Sequence, residues 1–229
     1  PIPEGYSIFE RLESFFGPTN FVTVAVIAKA GRMSDACPYK KLYNEGDKIE
    51  GEIITEGEVK YQLIPGELFC HAARSMEVFI NRLGEDEKVG TKAMELLDQY
   101  NDKPFFFFVH FAEVDDKGHR FGENSKQYNN ALISADTWTG KIMQKLKKLA
   151  LYDKTLIYVT ADHGFDEGQK SHDDAPYVFL GTNDPLVMRR GQRADIAPTI
   201  LERFGLDLSK IQPPLDGRPL TKPYQLPLW

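Results

Sequence analysis

Three short runs constrain the fold more than anything else in the chain: Phe21–Ala28 (FVTVAVIA), Phe105–Ala112 (FFFFVHFA) and Thr155–Ala161 (TLIYVTA). Each is apolar along its length rather than alternating, the pattern of a strand covered on both faces. Between and around them the apolar period changes to that of a helix. Ser7–Phe16 has apolar residues at 8, 9, 12, 15 and 16 and stops at Gly17-Pro18. Helices are also expected over His71–Leu83, Lys88–Tyr100, the long amphipathic stretch from Tyr128 to Leu149, and Ala194–Phe204, with a fourth strand over Tyr177–Gly181. Buried strands alternating with helices predict an α/β fold: a three-layer α/β/α sandwich whose largely parallel central sheet holds all three runs. The polar, glycine-rich segment 31–66 breaks this rhythm and reads as an inserted subregion or small hairpin within one domain spanning 1–229. The proline-rich stretch from Gln212 reads as an irregular tail on the surface.

Charge and length exclude other classes. The net charge of -6 gives no general attraction for nucleic acid, which calls for a basic face. No apolar run approaches the length needed to cross a bilayer as a helix, so neither a nucleic-acid nor a membrane partner is expected. Cys37 and Cys70 permit one disulfide at most and show no CxxC spacing; the plain reading is two small, half-buried residues. No charged segment followed by an apolar one comes after Pro1, so no signal peptide is read; a secreted or periplasmic location is expected if a leader is removed.

In a parallel α/β sheet the ligand site lies at the carboxyl ends of the strands. The second apolar run is followed by Glu113-Val114-Asp115-Asp116-Lys117-Gly118-His119, and the third by Asp162-His163-Gly164. Ser171-His172-Asp173-Asp174 comes just before the fourth strand. Each piece alone reads as a turn with a surface histidine. Together they place three of the five histidines and several carboxylates at one sheet edge. Imidazole nitrogen with carboxylate oxygen suits zinc and similar divalent ions. Asp115 and His119, around a glycine-containing turn, can close on one ion, and Asp162 with His163 on a second. His110, inside a strand, reads as a satisfied core histidine, and His71 stands apart from this context. Glu113 and Asp116 read as supporting partners of the ligands or as solvated residues.

Asp115-Asp116-Lys117-Gly118-His119, Thr160-Ala161-Asp162-His163-Gly164, His172, the helix Asp195–Leu201 with Gly205, and Leu215-Asp216-Gly217 recur in the order and spacing of a known group. The chain resembles the alkaline phosphatase superfamily, in particular its type I phosphodiesterase, nucleotide pyrophosphatase and sulfatase-like branches. The resemblance implies a metal-dependent hydrolase of phosphate mono- or diesters. Two divalent ions are implied, zinc first, with manganese or magnesium as alternatives: Asp115, His119 and His172 would hold one, Asp162 and His163 the other. It also implies a Thr or Ser nucleophile and an early Asp ligand placed before the helix matched to Ser7–Phe16. Pro1–Tyr6 holds no Asp, Ser or Thr. The expectation is therefore a chain without the family's N-terminal strand and nucleophile, to be completed by an N-terminal region or a separate chain. The alternatives are a non-catalytic metal-binding fragment or pseudoenzyme, and a sulfatase of the same superfamily.

Overall fold

The computed structural model describes residues 2–29 and 33–223. The first helix, α1 (Ile8–Phe16), starts where Ser7 and Glu10 cap one another's backbone, and it ends at Gly17, whose φ of 83° suits glycine. Phe9 and Leu12, three apart on one face, are buried. The first apolar run forms β1 (Val22–Ile27), buried at every residue.

Segment 31–66 contributes β2 (Tyr39–Leu42), β3 (Glu52–Glu56) and β4 (Val59–Ile64). They form a separate antiparallel sheet in the order β2-β4-β3. Most of its residues are exposed, but Gln62 is fully buried, donating to the Lys48 carbonyl and accepting from the Glu50 N–H. A disulfide between Cys37 and Cys70 ties this insertion to α2 (Cys70–Ser75). The two cysteines are thus a covalent tie and not merely small buried residues.

The helix expected over His71–Leu83 stops at Ser75. Val78, Phe79 and Ile80 form β5 (Val78–Ile80), parallel to β1. A β-branched and aromatic triplet beside an open parallel edge gains ladder hydrogen bonds that a helical turn there would forgo. After α3 (Asp86–Gln99), the second apolar run forms β6 (Phe105–His110), parallel to β1 on its other side, so the central sheet has the order β5-β1-β6. On one face Val22, Val24 and Val26 meet Val89, Ala93 and Leu96 of α3. On the other, Ala25 and Ile27 meet Phe9 and Ala72.

Next come α4 (Glu113–Phe121), α5 (Lys126–Lys148), β7 (Tyr158–Thr160), β8 (Leu180–Thr182) and α6 (Ile196–Arg203). The third apolar run does not join the central sheet: β7 pairs antiparallel with β8 in a ladder of its own. Hydrophobicity marks such a run as a strand without choosing its neighbour. Among the described residues no strand pairs with the second edge of β6 or of β7. The ladder is fastened instead through α6. Tyr158 Oη and Arg203 Nε both donate to the buried carboxylate of Asp184, at 2.5 and 2.9 Å, and Leu201 packs with Leu12 and Phe21. The C-terminal stretch is irregular, as expected, but not wholly superficial: Leu220 is buried, and its N–H donates to Thr199 Oγ1.

Candidate metal centre

The chain leaves β6 and turns at once into α4. Asp115 and His119 are therefore four apart on a helix, where residues at that spacing share a face, rather than around a turn. The helix start is held by an exchange with α3: Asp86 N–H donates to Glu113 Oε1 at 3.0 Å, and Asp86 Oδ1 lies 3.5 Å from the Glu113 N–H. Glu113 thus serves the backbone behind the site, while Asp116 meets Lys29 at 3.4 Å.

His163 and His172 come from the segment between β7 and β8 and reach the same place. Their rings stack at 3.9 Å between centroids. One ligand atom each from Asp115, His163 and His172 lies within 4.8 Å of the others. His119 Nε2 stands 3.2 Å and His163 Nε2 3.6 Å from Asp115 Oδ1. The Nδ1 of His119 lies 2.8 Å from the Lys170 carbonyl. That contact fixes the tautomer with hydrogen on Nδ1 and leaves the Nε2 lone pair facing Asp115. The sequence pairs His163 with Asp162; the structure groups its ring with Asp115 and His172. Asp162 is at the rim, its side chain 87% exposed, with Oδ2 3.7 Å from His163 Nε2.

Asp115 Oδ1 is buried and has no hydrogen-bond partner. An orphaned carboxylate oxygen facing imidazole nitrogens is an unfavourable arrangement for an empty protein and a fitting one for a divalent cation. The other oxygen, Oδ2, is held by the Lys29 ammonium at the end of β1. Burial opposes ionisation of Asp115, but the Lys29 ammonium outweighs it and holds the carboxyl below its usual range.

Of the remaining histidines, His110 at the end of β6 has a buried Nδ1 without a partner, so it is not the satisfied core histidine expected. Burial pushes its imidazole below the ordinary value. His71 lies beside Cys37 and Cys70, whose sulfurs are bonded to each other. Sequence reasoning missed Lys29 and Phe165. The trace of the first was a lone charge closing a buried strand; the second, next to Asp162-His163-Gly164, carried no signal.

A parallel α/β sheet with oxygen and nitrogen donors gathered beyond its strand ends defines an α/β protein with a divalent-metal type of donor set. The family model for type I phosphodiesterase / nucleotide pyrophosphatase matches residues 37–205, and the chain belongs to that family, within the alkaline phosphatase superfamily. A 2,3-bisphosphoglycerate-independent phosphoglycerate mutase of Wolbachia pipientis wMel is 31% identical over 122 residues, 49% of this chain and 23% of the mutase. Ectonucleotide pyrophosphatase/phosphodiesterase family member 1 of Mus musculus is 28% identical over 134 residues, covering 54% of this chain and 15% of that protein. A steryl-sulfatase of Rattus norvegicus is 30% identical over 86 residues, 35% of this chain and 15% of the sulfatase. The matched stretch thus spans less than a quarter of each of these relatives.

Proposed function

We propose that this chain supplies the metal-binding core of a phosphoric ester hydrolase acting on phosphate mono- or diesters. The observation that carries the reading is the buried, unpartnered Asp115 Oδ1 facing the Nε2 atoms of His119 and His163. Asp115, His163 and His172, whose ligand atoms lie within 4.8 Å of one another, would hold one divalent ion with His119 Nε2 beside Asp115, and Asp162 at the rim is left for the position of a second; zinc is the first choice for such donors. Bound ions would supply Lewis-acid polarisation of the phosphoryl oxygens and charge for the leaving group. The chain's own part is to orient. Lys29 turns Asp115 so that a single oxygen faces the imidazoles, and the Lys170 carbonyl sets the tautomer of His119. The Asp86–Glu113 exchange anchors the helix that carries both residues.

The nucleophile is assigned to a segment outside residues 1–229. The edges of β6 and β7 that no described strand pairs with support a reading in which an added strand, from an N-terminal region or a separate chain, lies between them and completes the sheet. The Cys37–Cys70 disulfide supports an oxidising, secreted or periplasmic compartment.

The test loads the chain with zinc, manganese or magnesium and assays nitrophenyl phosphate, bis(nitrophenyl) phosphate and nitrophenyl sulfate, with and without the family's N-terminal segment. The expected result is metal binding by the chain alone, and chelator-sensitive phosphate-ester hydrolysis only with the added segment. Full turnover by residues 1–229 would place the nucleophile within them. Metal binding with no turnover in either form would favour a pseudoenzyme, and sulfate-ester turnover alone would favour a sulfatase.

A further inference from the structure

Imidazoles can serve a metal centre only if their planes are held in a fixed relation, and the ring of Phe165 lies against His119, His163 and His172 alike. Its centroid is 5.1 Å from that of His119, 6.0 Å from His163 and 5.8 Å from His172, with interplanar angles of 66°, 65° and 87°. These are edge-on contacts, the favoured arrangement for aromatic pairs at such distances. Tyr128, in the first turn of α5, closes the far side at 5.7 Å.

The seat for this ring is Gly118. A Cβ built there would meet Phe165 Cζ at 2.4 Å and both Cε atoms at 2.6 and 2.7 Å, too close for any side chain unless the ring moved. Gly118 lies three residues after Asp115 and immediately before His119, so the ring rests on the part of α4 that carries both. The next residue, Asp166, fastens the loop on its other side. Its carboxylate accepts from Ser171 Oγ at 2.8 Å and from the N–H groups of Asp173 and Asp174 at 3.2 and 3.0 Å, and its own N–H donates to the Ser171 carbonyl at 3.0 Å. His172 sits inside that bracket. The Glu123 N–H donates to the Gln169 carbonyl at 2.7 Å and the Gly168 N–H to Glu123 Oε2 at 2.8 Å, which binds the loop to the end of α4.

We infer that Phe165, seated on Gly118 and braced by Asp166, is a positioning residue that sets the relative orientation of His119, His163 and His172 for metal binding. It touches no substrate; it acts through the imidazoles. The inference rests on the metal-centre reading above and deepens it: contacts behind the ligands, not the ligands alone, set the affinity and geometry of the ion.

The experiment uses the 229-residue chain with zinc, by competition against a chromophoric chelator, and with cobalt(II), whose visible absorption reports ligand geometry. Phe165→Leu removes the ring and keeps apolar bulk. It should weaken zinc binding about 10- to 100-fold, the range found when groups behind metal ligands are removed. It should also change the cobalt spectrum, while the thermal midpoint of the metal-free chain stays near wild type. Gly118→Ala should act in the same direction by pushing the ring away. The double variant should lose less than the sum of the two, because both act on one contact. Should Phe165→Leu fold poorly, Asp166→Ala tests the same device by freeing His172 with the ring in place, and should weaken zinc without lowering the metal-free midpoint. Unchanged zinc affinity and cobalt spectrum in Phe165→Leu, or strictly additive losses in the double variant, would overturn the inference. So would an affinity loss matched by a collapse of the metal-free midpoint in both Phe165→Leu and Asp166→Ala, since that signals packing alone. Wild-type chain that binds neither zinc nor cobalt would sink the metal-centre reading itself, and the inference with it.

Discussion

The strands Val22–Ile27 and Tyr158–Thr160 come from the same kind of apolar run, yet the first is buried at every residue and the second at none. The difference is in their neighbours. β1 has a parallel partner on each side and helices on both faces. β7 has one antiparallel partner, and large apolar residues nearby stay in water: Tyr177 is 85% exposed and Phe179 58%. The two regions are also held by different forces. The β1 region depends on close-packed apolar surface. The β7–β8 region depends on charged anchors: Asp184 with Tyr158 and Arg203, and Asp195 with Arg189 at 3.0 Å and the Arg218 N–H at 2.8 Å.

The largest effects should come from testing that contrast with one substitution in each region. Val24→Asp places an unpaired charge where nothing is exposed and should cost more than about 4 kcal/mol in urea unfolding. Phe179→Asp, on the open ladder, should stay within about 0.5 kcal/mol. Equal losses would mean that the ladder is as deeply packed as the sheet. Next in size is Leu201→Ala, at the apolar joint between α6 and the sheet. Leu201 is fully buried with Leu12 and Phe21, and its truncation should cost about 2–5 kcal/mol. Hydrogen exchange should then show the β7–β8 segment opening before the central sheet.

Acid should separate the two regions by sign. Burial alone would raise the carboxyls of Asp184 and Asp195. Hydrogen bonds outweigh it and hold both below their usual range: from Tyr158, Leu186 N–H and Arg203 at Asp184, and from Arg218 N–H, Gln192 N–H and Arg189 at Asp195. A depressed folded pKa stabilises above the unfolded value, about 3.9 for Asp, and that contribution is lost as pH falls through the lower folded value. Asp86, beneath the central sheet, goes the other way. Burial first, then the neighbouring Glu113, pushes its carboxyl up, so its ionisation opposes folding at neutral pH and acid relieves this. Below about pH 4, exchange protection should therefore fall in 155–205 before it falls in β1 and β6. Asp184→Asn should flatten the acid dependence of the first segment. Simultaneous loss of protection in both would remove the distinction. A small effect is also expected for Asp86→Asn, a gain in stability at pH 7 that vanishes in acid, where the carboxyl is already neutral.

Much of the site was legible because its ligands flank strand ends. Asp115, His119, Asp162, His163 and His172 fall in three short motifs; ligand atoms of Asp115, His163 and His172 lie within 4.8 Å of one another, and His119 Nε2 lies 3.2 Å from Asp115 Oδ1. Their grouping was not legible. Whether His163 turns toward Asp162 or toward Asp115 depends on ring packing against Phe165 and His172, and Phe165 is itself seated on Gly118, a distant residue of the chain. The expected turn at Asp115 became helix because Glu113 and Asp86 cap each other's backbone, a partnership 27 residues apart that local turn chemistry does not register.

By itself, the sequence determined the elements whose pattern is local: apolar runs that must be strands, the Ser7–Glu10 box that opens the first helix, and the three motifs that carry the donors. Tertiary structure alone decided which edges pair, where Val78–Ile80 goes, that Cys37 reaches Cys70, and which imidazoles face Asp115. The physical reason is range. Periodicity and caps act within a few residues along the chain. Ladder hydrogen bonds, disulfide closure and the partnering of a buried carboxylate oxygen depend on which distant segments the packing brings together.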